Sequence, residues 1–255
     1  MQETLFIGKN VINLPEINST NDYLKEKSHK ENIVEGTLVY TTYQNAGRGQ
    51  SGNVWEMPPN QNLAMSYLLK PVFLSPEKQF YLNIAVSLAV REFCEKFCKH
   101  EVLIKWPNDI LIKNKKVAGI LIENTIQGSK IMQSIVGIGI NINQEKFDKK
   151  IPYASSLKLE SDNKAFLFDL HAIIHDMSSY LEKYYMQLRV GNFNFLTKAY
   201  TTSMWRYHQT QDFMKGENTL RGEIVGIAKD GRIEIYVSGK TQRYQLQEIK
   251  FSLEK

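Results

Sequence analysis

Between Gln44 and Trp55 the chain reads QNAGRGQSGNVW, an arginine set among glycines at positions 47, 49 and 52. Glycines allow backbone N–H groups to turn toward one point without a Cβ in the way. Arg48 adds a planar cationic fork, so the segment can hold an anion. A second cation stands in Lys105-Trp106-Pro107-Asn108-Asp109, where a proline and two turn-forming residues between apolar runs make a tight corner with a lysine at its entrance. Taken singly, each stretch is explained as well by a plain surface loop or an ordinary turn.

The elements that must position these residues follow from periodicity and punctuation. An edge strand is expected over 6–14, ended by Pro15, and Ser19-Thr20-Asn21 sits before a helical pattern in the usual N-capping arrangement. Strands are expected at 37–43 and 62–69, then a helix over 77–99 with Phe80, Ile84, Val86, Leu88, Val90, Phe93 and Phe97 as its packing face. Successive strands follow at 102–105, 110–113, 117–123 and 131–143, with Lys113-Asn114-Lys115-Lys116 as a hairpin tip. Gly119, Gly137 and Gly139 lie inside apolar strands, where glycine signals close approach of backbone or ligand, or a bulge. A connection over 144–163 leads to an amphipathic helix at 164–189, with Phe166, Leu167, Leu170, Ile173, Ile174, Met177, Leu181 and Tyr184 inward. The composition turns polar over 209–217, and short strands at 220–227, 232–237 and 241–245 imply a small β-barrel. The expected domains are therefore 1–208 and 209–255.

GRGQSGNVW, KWPND, KVAGILIE (116–123) and GIGIN (137–141), with Ser19-Thr20-Asn21 upstream, resemble the catalytic domain of biotin protein ligase. The motifs keep the family's order across residues 19–141. The resemblance implies an α+β fold: a mixed, mostly antiparallel sheet flanked by helices, class II synthetase-like, with an SH3-like C-terminal domain. It also implies the short type, because the chain starts almost at the catalytic domain with no DNA-reading helix pair ahead of Ser19.

The activity so implied is ATP-dependent biotinylation of one lysine on a biotin carboxyl carrier protein, through biotinyl-5′-adenylate. On that reading Ser19, Thr20, Asn21, Gln44, Gly47, Arg48, Lys105, Gly119 and Leu121 receive biotin. Arg48, Gly49, Gln50, Trp55, Lys105, Asn108 and Asn141 receive the nucleotide. Lys105 meets the carboxylate and α-phosphate, Arg48 the phosphate, and Trp55 packs beside adenine. Mg²⁺ is expected with the ATP, held mainly by the nucleotide. Gln50 departs from relatives that carry a second arginine there, which removes a charge from the adenylate site. With no apolar residue between Ala46 and Val54, the loop is expected to be mobile when empty and to order over the adenylate.

Composition narrows the remaining classes. A net charge of +5 over 255 residues, without a dense basic block, disfavours nucleic acid as a partner. Cys94 and Cys98 share a helical face but lack further ligands, so free thiols in a reducing cytoplasm are expected and no structural metal. His171 and His175 have the spacing of a helical metal pair without an acidic residue in the HExxH arrangement or a third ligand. No run approaches the roughly 20 apolar residues of a membrane span, and no signal peptide is evident. A homodimer could form through an exposed edge near 131–143. Lipoate protein ligase and a non-catalytic adenylate sensor are the competing readings.

Overall fold

In the computed structural model, which describes residues 3–162 and 167–251, two sheets meet along one cleft. The large sheet contains β1 (Val11–Asn13), β2 (Leu38–Thr41), β3 (Asn62–Leu69), β4 (Val102–Lys105), β5 (Asp109–Ile112), β6 (Lys115–Gln127) and β7 (Lys130–Asn141), in the order β1-β2-β3-β7-β6-β5-β4. Only β1 pairs in parallel, with β2; the other neighbours are antiparallel.

Helices cover both faces, and the period-2 alternation of strands decides which residues meet which. Met65 and Tyr67 of β3, and Val136, Ile138 and Ile140 of β7, join one apolar core with α2 (Phe80–Glu95) and α4 (Leu170–Arg189). On the other face Val39, Leu68 and Ile135 meet Leu24 of α1 (Thr20–Lys30). On that second face Ala64 of β3, Gly139 of β7 and Gly119 of β6 stand side by side.

The first core explains why the α2 sequence is apolar nearly all round: ten of its residues are buried between sheet and α4. A short helix, α3 (Leu157–Glu160), interrupts the expected connection. Helix α4 starts later than its periodicity suggests: Leu167 precedes it and is 68% exposed, while Lys164 and Phe166 lie outside the described residues, as does the His171 side chain. Gly191, at φ +75°, ends α4, with its N–H donating to Leu188 O and that of Asn192 to Gln187 O, the paired bonds of a glycine-terminated helix. It turns the chain into α5 (Phe193–Thr202), which periodicity did not announce.

The small sheet consists of β8 (Thr210–Lys215), β9 (Asn218–Ile227), β10 (Ile233–Val237), β11 (Lys240–Tyr244) and β12 (Lys250–Phe251), in the order β11-β10-β9-β8-β12 and antiparallel throughout. It is SH3-like in character, though β11 and β12 stand at opposite edges, so hydrogen bonding among the described residues does not close it into a barrel. The 229–231 hairpin docks on the large unit: Trp106 Nε1 donates to Gly231 O at 3.0 Å, and a Cβ at Gly231 would strike Phe80.

Two expectations are corrected. The edge strand foreseen over 6–14 is three residues long, because residues 5–7 donate their N–H groups to the Glu182 carboxylate of α4 instead of to a neighbouring strand. Most of the segment 131–143 is no edge: β7 is paired with β6 along its length and with β3 from Ser134 to Asn141, which leaves only 130–133 without a strand partner on the β3 side. The sheet's edges are β1 and β4, and the outer side of β4 already bridges Met204. Among the described residues no helix is long and apolar enough to cross a membrane.

Candidate active site

Strand register builds the floor of the cleft. Thr41, Ala64, Gly139, Gly119 and Asp109 are consecutive partners across β2, β3, β7, β6 and β5, and Asp109 pairs in turn with Lys105 of β4. A second row sets Ser66 against Gly137 and Gly137 against Leu121. Small residues in line across a sheet leave a trough where larger side chains would fill the space. The cavity above it is about 570 Å³, within the usual range for a small-molecule site.

The start of α1 forms one wall. Ser19 caps the helix, its Oγ accepting from Asp22 N at 3.3 Å, and Thr20 donates its N–H and its hydroxyl to Gln44 Oε1 at 2.8 and 3.1 Å. Ser66 Oγ reaches both Thr20 Oγ1 (2.7 Å) and Asn21 Oδ1 (2.6 Å). Asn21 Nδ2 then donates to Glu123 Oε2 at 2.9 Å. Ser19 therefore both caps the helix and lines the cleft.

The glycine loop is folded back on itself. Gly49 N donates to Asn53 O (2.7 Å), Trp55 N donates to Gly47 O (2.9 Å), and Arg48 bridges Val54. The N–H groups of Gly49 and Trp55 are thus spent inside the loop. Arg48 turns inward instead: Nε and Nη2 pair with Asp22, and Nη2 also with Glu123 at 2.9 Å. Burial works against the charge on Arg48, but Glu123 and Asp22 outweigh it and raise its pKa. Burial likewise opposes ionisation of Glu123, and the Asn21 hydrogen bond together with Arg48 holds its carboxyl below the usual range.

Trp55 lies flat in the trough. A Cβ on Gly139 would collide with its indole, one on Gly119 would come within 3.0 Å, and one on Gly137 would strike the Asn21 carboxamide. The close approach signalled by these glycines is made here by side chains of the chain itself. The indole Nε1 is buried with no hydrogen-bond partner among the described residues. Gly139→Val is expected to expel the indole, shifting tryptophan emission to longer wavelength, and to fill the trough. A steric penalty of about 1–3 kcal/mol against a ring bound in the trough corresponds to a biotin affinity weaker by about 5- to 150-fold. Unchanged emission and affinity would contradict this use of the glycines.

Opposite stands the lysine corner. The Trp106–Pro107 peptide is cis, and the Pro107 carbonyl accepts from Asn83 Nδ2 (2.7 Å) and Tyr200 Oη (2.8 Å), which fixes the corner to α2 and α5. Lys105 is half-buried and, among the described residues, has no ion-pair partner. Burial pushes its pKa down, Asp109 opposes the change, and Lys116 and Arg206 add to it. Its natural counterion, Asp109, is already taken by Lys116 at 2.6 Å.

Arg48 and Lys105 line the same cleft, together with Ser19, Thr20, Asn21, Gln44, Gly49, Gln50, Trp55, Asn108, Gly119 and Leu121. Gly47 and Asn141 do not line it. Gly47 supports the loop, where a Cβ would strike Trp55 O, and Asn141 Nδ2 donates to Ser155 O at 2.9 Å. Asn108 lines the cleft, but its Nδ2 is committed to Ile120 O at 2.5 Å.

Sequence reasoning missed two contributors. Lys116 is not at the hairpin tip: Lys113 (φ 49°) and Asn114 (φ 64°) form the turn, and Lys116 stands in β6 with Nζ 5.5 Å from the centre of the Trp55 ring. The other is the end of the small sheet, where Leu246, Gln247, Ile249, Lys250 and Phe251 close the cleft.

A trough and two cations, Arg48 and Lys105, share one cleft, and comparison with known proteins gives the family. The chain belongs to the biotin/lipoate A/B protein ligase family, whose model matches residues 14–141. It is 30% identical over 235 residues to the bifunctional ligase/repressor BirA of Bacillus spizizenii, covering 90% of this chain and 70% of that protein. The match to BirA of Bacillus subtilis, at 36% identity, covers 44% of that protein. A biotin–[acetyl-CoA-carboxylase] ligase from Mycobacterium tuberculosis is 26% identical over 88% of this chain and 82% of its own. The biotin protein ligase of Aquifex aeolicus in complex with biotin and ATP superposes with a TM-score of 0.79 at 26% identity, over 96% of this chain and 99% of that one.

Proposed function

We propose that this chain is a biotin protein ligase. It joins biotin to ATP as biotinyl-5′-adenylate and then transfers the biotinyl group to a lysine of a carboxyl carrier protein. The observation that carries this reading is the row of small residues in a cleft that Arg48 and Lys105 also line, in a chain of this family.

In the first step a carboxylate oxygen of biotin forms a bond to the α-phosphorus of ATP, and the bond from that phosphorus to the pyrophosphate oxygen breaks. Two anions must approach, and fixed positive charge in a partly dry cleft is the direct remedy. Lys105 is assigned to the carboxylate and α-phosphate as a compact point charge, and Arg48 to the phosphate, offering Nη1, which has no partner among the described residues. Thr20 and Gln44 offer donors and acceptors along the trough, which suits a neutral ureido ring. In the second step the neutral ε-amine of the acceptor attacks the acyl carbon, and AMP leaves with the anhydride oxygen. The ring of Trp55 and the folded loop shield that anhydride from water.

Mg²⁺ would enter with the ATP substrate, where it would offset the charge of the departing pyrophosphate and be held mainly by the nucleotide's phosphates and water.

Incubating the chain with ATP, a biotin carboxyl carrier domain and either biotin or lipoate tests the reading. The carrier is expected to gain one biotinyl mass with biotin alone. Lipoylation without biotinylation would overturn it.

A further inference from the structure

Among the described residues the ammonium of Lys105 is held by an aromatic ring and by no carboxylate. Its Nζ lies 5.6 Å from the centre of the Phe251 ring, inside the range of a cation–π contact. Phe251 comes from the last strand of the small sheet and is itself fixed. It pairs with Phe213 across β8 and β12 with ring centres 5.6 Å apart, and tilts against Trp205 at 5.8 Å. Trp205 Nε1 is anchored in turn to Asn114 Oδ1, at the β5–β6 turn of the large sheet, at 2.7 Å. The ring is thus tied to both sheets and lines the cleft beside Lys105.

We propose that Phe251 is a positioning residue for adenylate formation: its ring holds the Lys105 ammonium toward the trough and makes the C-terminal sheet part of the acid-activating site. A carboxylate in that place would neutralise the lysine and compete with the biotin carboxylate for it. The negative face of a ring attracts the cation while leaving its charge available. The proposal rests on the reading that Lys105 meets the carboxylate and α-phosphate. The other charged groups facing this ammonium are Asp109 from β5, Lys116 from β6, Arg206 from the segment after α5, and Lys250 beside Phe251.

The test uses the full chain and biotin-dependent exchange of pyrophosphate into ATP across pH. Phe251→Leu keeps an apolar side chain but removes the ring face, and kcat is expected to fall about three- to tenfold with KM for ATP nearly unchanged. Phe251→Tyr should restore the rate. The alkaline limb of the profile should move to lower pH in Phe251→Leu, since the charged amine has lost its attraction. In Phe251→Ala it should move to higher pH, because water reaches the ammonium. A wild-type rate and an unmoved limb in Phe251→Leu, beside an inactive Lys105→Met, would overturn the proposal and leave the role of Lys105 standing. Equal impairment of Phe251→Leu and Phe251→Tyr would reduce Phe251 to a packing residue. Full exchange by Lys105→Met would remove the reading beneath both.

Discussion

Lys105→Ala is expected to slow biotin-dependent pyrophosphate exchange by about 10²–10³-fold, the cost of losing one preorganised electrostatic contact to a developing transition state. Folding should be nearly untouched, because among the described residues Lys105 makes no ion pair whose partner would be orphaned. Its environment already disfavours the charge, through burial and through Lys116 and Arg206, so the protein maintains a cation there at a cost. That expense is intelligible if an anion arrives. Lys105→Arg should rescue poorly, since a planar fork cannot replace a point charge in a corner fixed by Asn83 and Tyr200. Exchange above half the wild-type rate in Lys105→Ala, with an unchanged melting profile, would contradict the assignment.

Arg48→Ala should be at least as damaging, for a different reason. Arg48 stands between Asp22 and Glu123, so deleting it leaves two carboxylates beside the proposed phosphate site, one of them half-buried and otherwise held by Asn21 and by Lys25 at 3.6 Å. The variant therefore subtracts a cation and exposes two anions, and a loss of about 10³-fold in exchange is expected. Adding Asp22→Asn should recover part of it, because one of the exposed charges is then gone. Gln50 carries no charge, and Gln50→Ala should stay within about threefold of wild type, the scale of one exposed neutral hydrogen bond. Comparable losses in Arg48→Ala and Gln50→Ala would refute this division of labour.

How far the site could be read from sequence depends on whether local chemistry or register made it. Strands β3 and β4 are bounded where the sequence places them, because apolar runs there meet Pro71 and the KWPND corner. Arg48 and Lys105 were found because glycine and proline punctuation exposes a cation in each motif. The trough was only half legible. Gly119, Gly137 and Gly139 are visible as anomalies within strands, but the fact that Ala64, Gly139 and Gly119 stand in one row follows from pairings that no single strand records.

The misses have physical causes too. Strand β8 looks polar because Gln211 occupies one of its buried positions beside Phe213. Lys116 was assigned to a hairpin tip because four polar residues in a row do not reveal which two adopt positive φ; Lys113 and Asn114 do. Phe251 reaches Lys105 only through the docking of the second sheet. Asn141, placed at the nucleotide from its motif, is turned away by its bond to Ser155 O.

The most direct test of the account is a crystal structure of this chain with a hydrolysis-resistant analogue of biotinyl-5′-adenylate. The account predicts Lys105 Nζ and the Arg48 guanidinium each within about 3.5 Å of the acyl or phosphate oxygens, with the bicyclic ring over Ala64, Gly139 and Gly119 in place of the Trp55 indole. An analogue bound with both cationic heads beyond reach of those oxygens would contradict it.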